Sequence, residues 1–156
     1  MTIVPKRWYS WDFDVVDGER HLAVVDVSSW REKGLLTVEG VEHRVYREGA
    51  MSDFILERGG TVLARGTKPS AFRDTILVGY SGRQYMLRKK SVWRRAFILL
   101  DGDNEIGSLA PDSIWTRHAT VSLPRDWPLP INVFVIWLAI ILWKREADAG
   151  AVAASV

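Results

Sequence analysis

One stretch constrains this chain more than any other: Pro128 to Trp143, read as Pro-Leu-Pro-Ile-Asn-Val-Phe-Val-Ile-Trp-Leu-Ala-Ile-Ile-Leu-Trp. As a helix it is apolar on every face, and a helix with no polar face has to be enclosed. Either lipid or the rest of the chain must do the enclosing. Pro128 and Pro130 suit a first turn, where a missing N–H would be unpaired anyway. Lys144 and Arg145 place positive charge at the negative end of the helix dipole. The pattern predicts a helix over about 130–144. Small residues follow, and 147–156 reads as a frayed, flexible tail.

Length bears on the choice of enclosure. From Pro130 to Trp143 a helix rises roughly 20 Å at 1.5 Å per residue, whereas a bilayer core is about 30 Å thick and needs about 20 apolar residues. The stretch is short for a span, and Asn132 and the prolines weaken its start. Trp127, Trp143, Lys144 and Arg145 nevertheless match the residues that anchor a helix at a membrane interface. A C-terminal membrane anchor therefore stands as the alternative to a helix buried in protein.

Upstream, the chain reads as short β-branched and aromatic runs divided by turn residues. The runs are Trp8–Asp14, His21–Ser28, Leu35–Glu39, Glu42–Arg47, Asp53–Glu57, Thr61–Thr67, Thr75–Tyr80, Arg83–Lys89, Trp93–Leu100, Glu105–Leu109 and Trp115–Leu123. Turns at this spacing predict eleven or twelve strands in an all-β sandwich or barrel, without βαβ units. Tyr85 and Leu87 are expected on the face opposite Gln84 and Arg88, and Val62 and Ala64 opposite Thr61, Leu63 and Arg65. Arg58-Gly-Gly-Thr61, Tyr80-Ser-Gly-Arg83 and Asp101-Gly-Asp-Asn104 look like hairpin turns.

The helix and the strands explain each other. A closed sheet of about a dozen strands is too wide for its own side chains to fill. A helix apolar on all faces, about as long as such a barrel is tall, fills the gap. The expected fold is therefore all-β with one helix: an antiparallel closed barrel of about twelve strands around a central hydrophobic C-terminal helix, with residues 1–146 as one domain.

Tyr80-Ser-Gly-Arg-Gln-Tyr-Met-Leu87, Phe97-Ile-Leu-Leu-Asp-Gly-Asp-Asn-Glu-Ile-Gly107 and Leu129-Pro-Ile-Asn-Val-Phe-Val-Ile-Trp137 resemble the tubby C-terminal-like superfamily. That group includes the LURP-one-related proteins and the phospholipid scramblases, and the likeness runs from about Trp8 to Arg145. The resemblance implies a twelve-stranded barrel around a C-terminal helix. It also implies binding of phosphoinositide-like headgroups by cations on the barrel surface, or scramblase-like lipid handling. The chain has no Cys, so it lacks the cluster that is palmitoylated in scramblases.

The strongest charged constellation is Arg83, Arg88, Lys89, Lys90, Arg94 and Arg95. Outward-facing members on adjacent strands would form a site for anionic headgroups; the plainer reading is a charge run that protects a sheet edge. Asp101 to Glu105 has acids at alternate positions, but Ile106 stands where a calcium loop needs Gly. His21, His43 and His118 lack metal-ligand spacing, and no metal or other cofactor is expected. Ser113, His118 and Asp112 lack a nucleophile elbow. Trp8, Trp11, Trp30, Trp93 and Trp115 are expected in the core or at the rim, with a stacking surface as the alternative.

Met1 to Trp8 has no apolar run, so no secretory signal is expected. A net charge of +2 does not favour nucleic acid as a partner. The function read from the sequence is a non-enzymatic cytoplasmic binding or scaffold module, peripheral to an anionic membrane surface or engaged with a protein partner.

Overall fold

The computed structural model describes residues 1–27, 32–49, 53–69, 74–91, 94–113 and 116–155, with the side chain of Arg94 outside that set. Trp30, Trp93 and Trp115 lie outside the described residues. Twelve strands close into one antiparallel barrel, each strand paired with its sequence neighbours. They are β1 (Thr2–Pro5), β2 (Phe13–Asp17), β3 (Arg20–Val27), β4 (Gly34–Val38), β5 (Val41–Arg47), β6 (Phe54–Arg58), β7 (Thr61–Thr67), β8 (Thr75–Tyr80), β9 (Arg83–Ser91), β10 (Arg94–Asp101), β11 (Asn104–Pro111) and β12 (Ala119–Ser122). One helix, α1 (Leu129–Ala154), completes the chain.

Closure depends on β1, which the sequence reading did not separate from the entry to Trp8. Thr2 and Ile3 pair with Thr120 and Ala119 of β12, while Thr2 to Pro5 pair with Val16 to Phe13 of β2. Trp8 is no part of a strand and stands 86% exposed in the β1–β2 connection. Its expected place in the core or rim is therefore corrected. A four-residue strand with one buried side chain, Ile3, carries little periodicity to read. Pairing on both of its edges is what holds it.

The two ends of the barrel differ. At one end, which we call the hairpin end, five two-residue turns join β2–β3, β4–β5, β6–β7, β8–β9 and β10–β11. Glu39-Gly40, Gly59-Gly60 and Ser81-Gly82 take positive φ at both positions, the type I′ geometry whose twist matches the strands it joins. At the other end, the loop end, the connections are mostly longer.

Bulges next to the hairpin turns change which side chains face inward. On β7, Ala64 pairs with Leu56 but Val62 pairs with Glu57, so Leu63 is an extra residue. The bulge reverses the alternation, and Val62 ends 41% exposed while Ala64 is buried. The expectation that Val62 shares the inner face with Ala64 is thus corrected. A bulge inserts one residue on one strand and shifts the pattern by one. Tyr85 and Leu87 do face inward, opposite Gln84 and Arg88, as β9 has no bulge there.

The apolar helix lies inside this barrel. Every residue from Ile131 to Trp143 is buried, including Trp137 at 0% exposure. Those thirteen residues rise roughly 20 Å. Seven-residue strands such as β5 and β7, tilted by about 40°, stand roughly 18 Å tall. The buried part of the helix thus matches the wall in height. Among the described residues, no helix is long and apolar enough to cross a membrane.

Aromatic contacts lock the helix in place. Trp137 packs edge-on against Phe54 and stacks on Phe134, and Trp143 packs on Phe97. Near the start, Trp127 covers Tyr80 and Tyr85. Small residues on the wall make room. A Cβ on Gly34 would sit 2.1 Å from the Asp26 carbonyl oxygen and 3.4 Å from the Trp137 indole nitrogen, and one on Gly66 would press on Leu138 and Ile76.

The helix does not stop near residue 144. It continues to Ala154, and residues from Asp148 onward are exposed. The tail expected over 147–156 is thus helical to Ala154. Ala147, Ala149, Ala151, Ala153 and Ala154 are strong helix formers, and the turns below already supply the costly nucleus.

Two predictions follow from this packing. Leu138→Asp is expected to abolish cooperative unfolding by circular dichroism, since an unpaired buried carboxylate costs several kcal/mol against a total of about 5–15. Gly34→Ala is expected to lower the midpoint of thermal unfolding far more than Gly79→Ala. At Gly79 the nearest atom to an added Cβ is 3.8 Å away, an ordinary contact.

Candidate functional site

Side chains of different elements converge at several places on the described surface, among them the rim where α1 leaves the barrel, the outer wall of β9–β11, and the cleft at the hairpin end. The predicted basic residues divide between the first two.

At the loop end, α1 is gripped by an ionic collar. Lys89 contacts Glu146 and lies 3.4 Å from Asp74, and the Arg95 guanidinium lies 3.9 Å from Glu146. Across the rim Arg145 bonds Glu32, which also accepts from Arg47 at 2.9 Å. Arg47 and Arg145 both lie over the Phe54 ring. The Trp143 indole N–H donates to the Arg95 carbonyl oxygen at 2.6 Å. Burial, reinforced by Arg145 and Arg47, holds the Lys68 ammonium below its usual range.

Lys89 and Arg95 are therefore committed to holding the helix exit. The reason lies in strand parity. Lys89 shares the inward register of Tyr85 and Leu87 and is half-buried, so its chain reaches toward Glu146 rather than outward.

On the outer wall, Arg88 and Lys90 are exposed and alternate with Lys89. Lys90 lies 3.7 Å from Glu105. Arg88 has no carboxylate partner among the described residues. Met86 on the same strand is exposed, and the buried Ile98 and Leu100 flank the pair on β10, as the register pairs Arg88 with Ile98 and Met86 with Leu100. Arg83, at the hairpin end of the same strand, makes two hydrogen bonds to the Asp101 carboxylate. Arg94 opens β10, and its side chain lies outside the described set. The structure thus brings Arg88 and Lys90 together, turns Lys89 and Arg95 to the helix, and leaves Arg83 about five residues down the strand, roughly 17 Å away.

The other candidate groups do not meet. His21 pairs with Asp14 on the outer wall, His43 is buried with its Nδ1 at 3.0 Å from the Val41 carbonyl oxygen, and His118 is exposed in the β11–β12 connection. The Asp112 carboxylate accepts from the Thr120 hydroxyl at 2.8 Å. Among the described residues no group of three His, Asp or Glu side chains is placed to hold a metal ion. Asp101 to Glu105 forms the β10–β11 hairpin, with Gly102 at φ +59°.

At the hairpin end a polar cleft of about 460 Å³ opens beside the start of α1, lined in part by Arg20, Glu39, Arg125, Trp127 and Asn132. Its charges are largely satisfied from within, since Arg20 bonds Glu39 at 2.8 Å. Asn132 donates from Nδ2 to the Pro124 carbonyl oxygen at 2.9 Å, and its buried Oδ1 has no partner among the described residues.

A second cleft, of about 410 Å³, runs along the outer wall by Asp26, Leu35, Arg44 and Tyr46. Burial raises the Asp26 carboxyl above its usual value; Lys6 opposes this, and Asp12 and Asp14 add to it. The folded protein therefore binds this proton more tightly than the unfolded chain. Stability is lost as pH rises from the ordinary carboxylate value of 3.8 through the raised one. Asp26→Asn is expected to raise the thermal midpoint at pH 7 and to leave it unchanged near pH 3, as read by melts across that range.

These features define a class: a helix-filled, twelve-stranded antiparallel barrel whose convergent groups all lie at its ends or on its outer wall. No protein-family model matches the chain, and no curated protein or solved structure does.

Proposed function

We propose that this protein is a non-enzymatic binding module, using the outer wall of its barrel to contact an anionic surface such as phospholipid headgroups. The observation that carries the reading is the occupied interior. With Ile131 to Trp143 filling the barrel, a ligand has to be met from outside. The outer wall of β9 and β10 presents Arg88 and Lys90 beside exposed Met86, cations flanking an apolar strip. We propose kinship with the tubby C-terminal-like superfamily on the sequence resemblance; the closed twelve-strand barrel around a C-terminal helix is the architecture that resemblance implies.

The site is smaller than the six-residue cluster. Lys89 and Arg95 neutralise Glu146, and Arg83 neutralises Asp101, so among the described side chains Arg88 is the unpaired cation for the task, with exposed Lys90 beside it partly offset by Glu105 at 3.7 Å. Each basic residue near an anionic bilayer contributes about 1 kcal/mol. Arg88→Glu with Lys90→Glu is expected to weaken co-sedimentation with phosphatidylserine-containing vesicles by at least about tenfold, with the melt unchanged. Undiminished sedimentation of the double variant would remove the outer wall from the account.

A further inference from the structure

The connection between β1 and β2 presents Trp8 at 86% and Tyr9 at 63% exposure. Exposed large rings of this kind are normally withdrawn from water or used. The loop is also braced. The Arg117 guanidinium, from the β11–β12 connection, donates to the carbonyl oxygens of Arg7, Trp8 and Ser10. It lies 5.4 Å from the centre of the Trp11 ring. Lys6 N–H donates to the Asp12 carbonyl oxygen across the neck of the loop, and the Asp12 carboxylate accepts from Val27 N–H. At the tip, Trp8 and Tyr9 meet edge to face, with Arg7 over the Tyr9 ring.

A guanidinium spent on three backbone carbonyls fixes the loop's shape while leaving its two aromatic rings outside. That lowers the entropic cost of using those rings in binding. The sequence Lys6-Arg7-Trp8-Tyr9-Ser10-Trp11 contains no acid. Trp and Tyr are the residues that settle at the boundary between headgroups and acyl chains, with Lys and Arg reaching to the phosphates.

We infer that the Arg7–Tyr9 tip is an insertion element for the interfacial zone of a lipid bilayer, its rings entering the headgroup–acyl boundary and Lys6 and Arg7 facing the phosphates. It extends the preceding reading by naming the bilayer as occupant, but uses different side chains and a different force. The exposed end of α1, from Asp148 onward, bars a flat end-on approach. The barrel therefore meets the bilayer tilted, with the β1–β2 side of its loop end toward the lipid. Apolar insertion does not require anionic lipid, whereas the Arg88–Lys90 contact does, and this separates the two.

The test uses the full chain with vesicles of pure phosphatidylcholine and of phosphatidylcholine with about one-quarter phosphatidylserine. Trp8→Ala with Tyr9→Ala is expected to weaken binding to both by about tenfold or more, and Trp8→Ala to abolish most quenching of tryptophan emission by bromine-labelled acyl chains. Arg88→Glu with Lys90→Glu is expected to weaken binding only to the anionic vesicles. Because both rings are exposed, the melts should match that of the parent protein. Unchanged binding by the Trp8–Tyr9 variant would overturn the insertion element while leaving the outer-wall reading in place. Failure of the parent protein to bind either vesicle would overturn both.

Discussion

Everything in this structure depends on enclosing a helix that has no polar face. Twelve strands about 4.8 Å apart, tilted by about 40°, make a wall roughly 24 Å across. A helix with its side chains is about 10–12 Å wide. The remaining roughly 6 Å on each side is the depth of one layer of wall side chains. Ile3, Phe13, Leu36, Phe54, Leu87, Phe97 and Leu99 form that layer, all fully buried in the same cluster as the helix. Without the helix the barrel would enclose a void, and without the barrel the helix would present a fully apolar surface to water.

The need to seat the helix also sets the small positions on the wall. Gly34 faces the Trp137 indole and Gly66 faces Leu138, so the widest parts of the helix meet the thinnest parts of the sheet. Close packing of this kind leaves little room inside for any other occupant. Binding chemistry is displaced to the ends and outer wall. The two ends carry different tasks. Tight two-residue turns close the hairpin end, whereas the loop end combines the ionic collar around Glu32 and Glu146 with the braced, exposed Trp8–Tyr9 loop. Longer connections on a rigid scaffold are where a fold places variable, binding side chains.

Much of the fold was legible because its signals are local. Gly-Gly, Ser-Gly and Asp-Gly between apolar runs fix hairpins where they occur, and the alternation through Tyr85 and Leu87 gives the inner face directly. Other elements escaped for identifiable reasons. β1 is four residues long and gains its stability from two partners distant in sequence, Thr120 among them. Val62 does not share the face of Ala64 because of a bulge at Leu63, which has no sequence marker. The helical run beyond residue 146 was missed because small residues signal neither a helix face nor a stop. In the candidate site, the sequence showed six cations but not their carboxylates. Glu146 lies 57 residues from Lys89 by number and beside it in space.

The sequence by itself determined the class of solution: short antiparallel strands, and one apolar helix that must be surrounded. Periodicity and composition suffice for that, because they record which faces avoid water. Only the tertiary structure decided that the chain itself surrounds the helix, and which cations remain available. Lys89 and Arg88 are adjacent, chemically similar and indistinguishable in the sequence. Strand parity turns one toward Glu146 at the helix exit and the other to solvent. Trp8 differs from Trp137 in the same way, one held outside by Arg117 and one at the centre of the core, because ring burial is set by contacts between segments far apart in the chain.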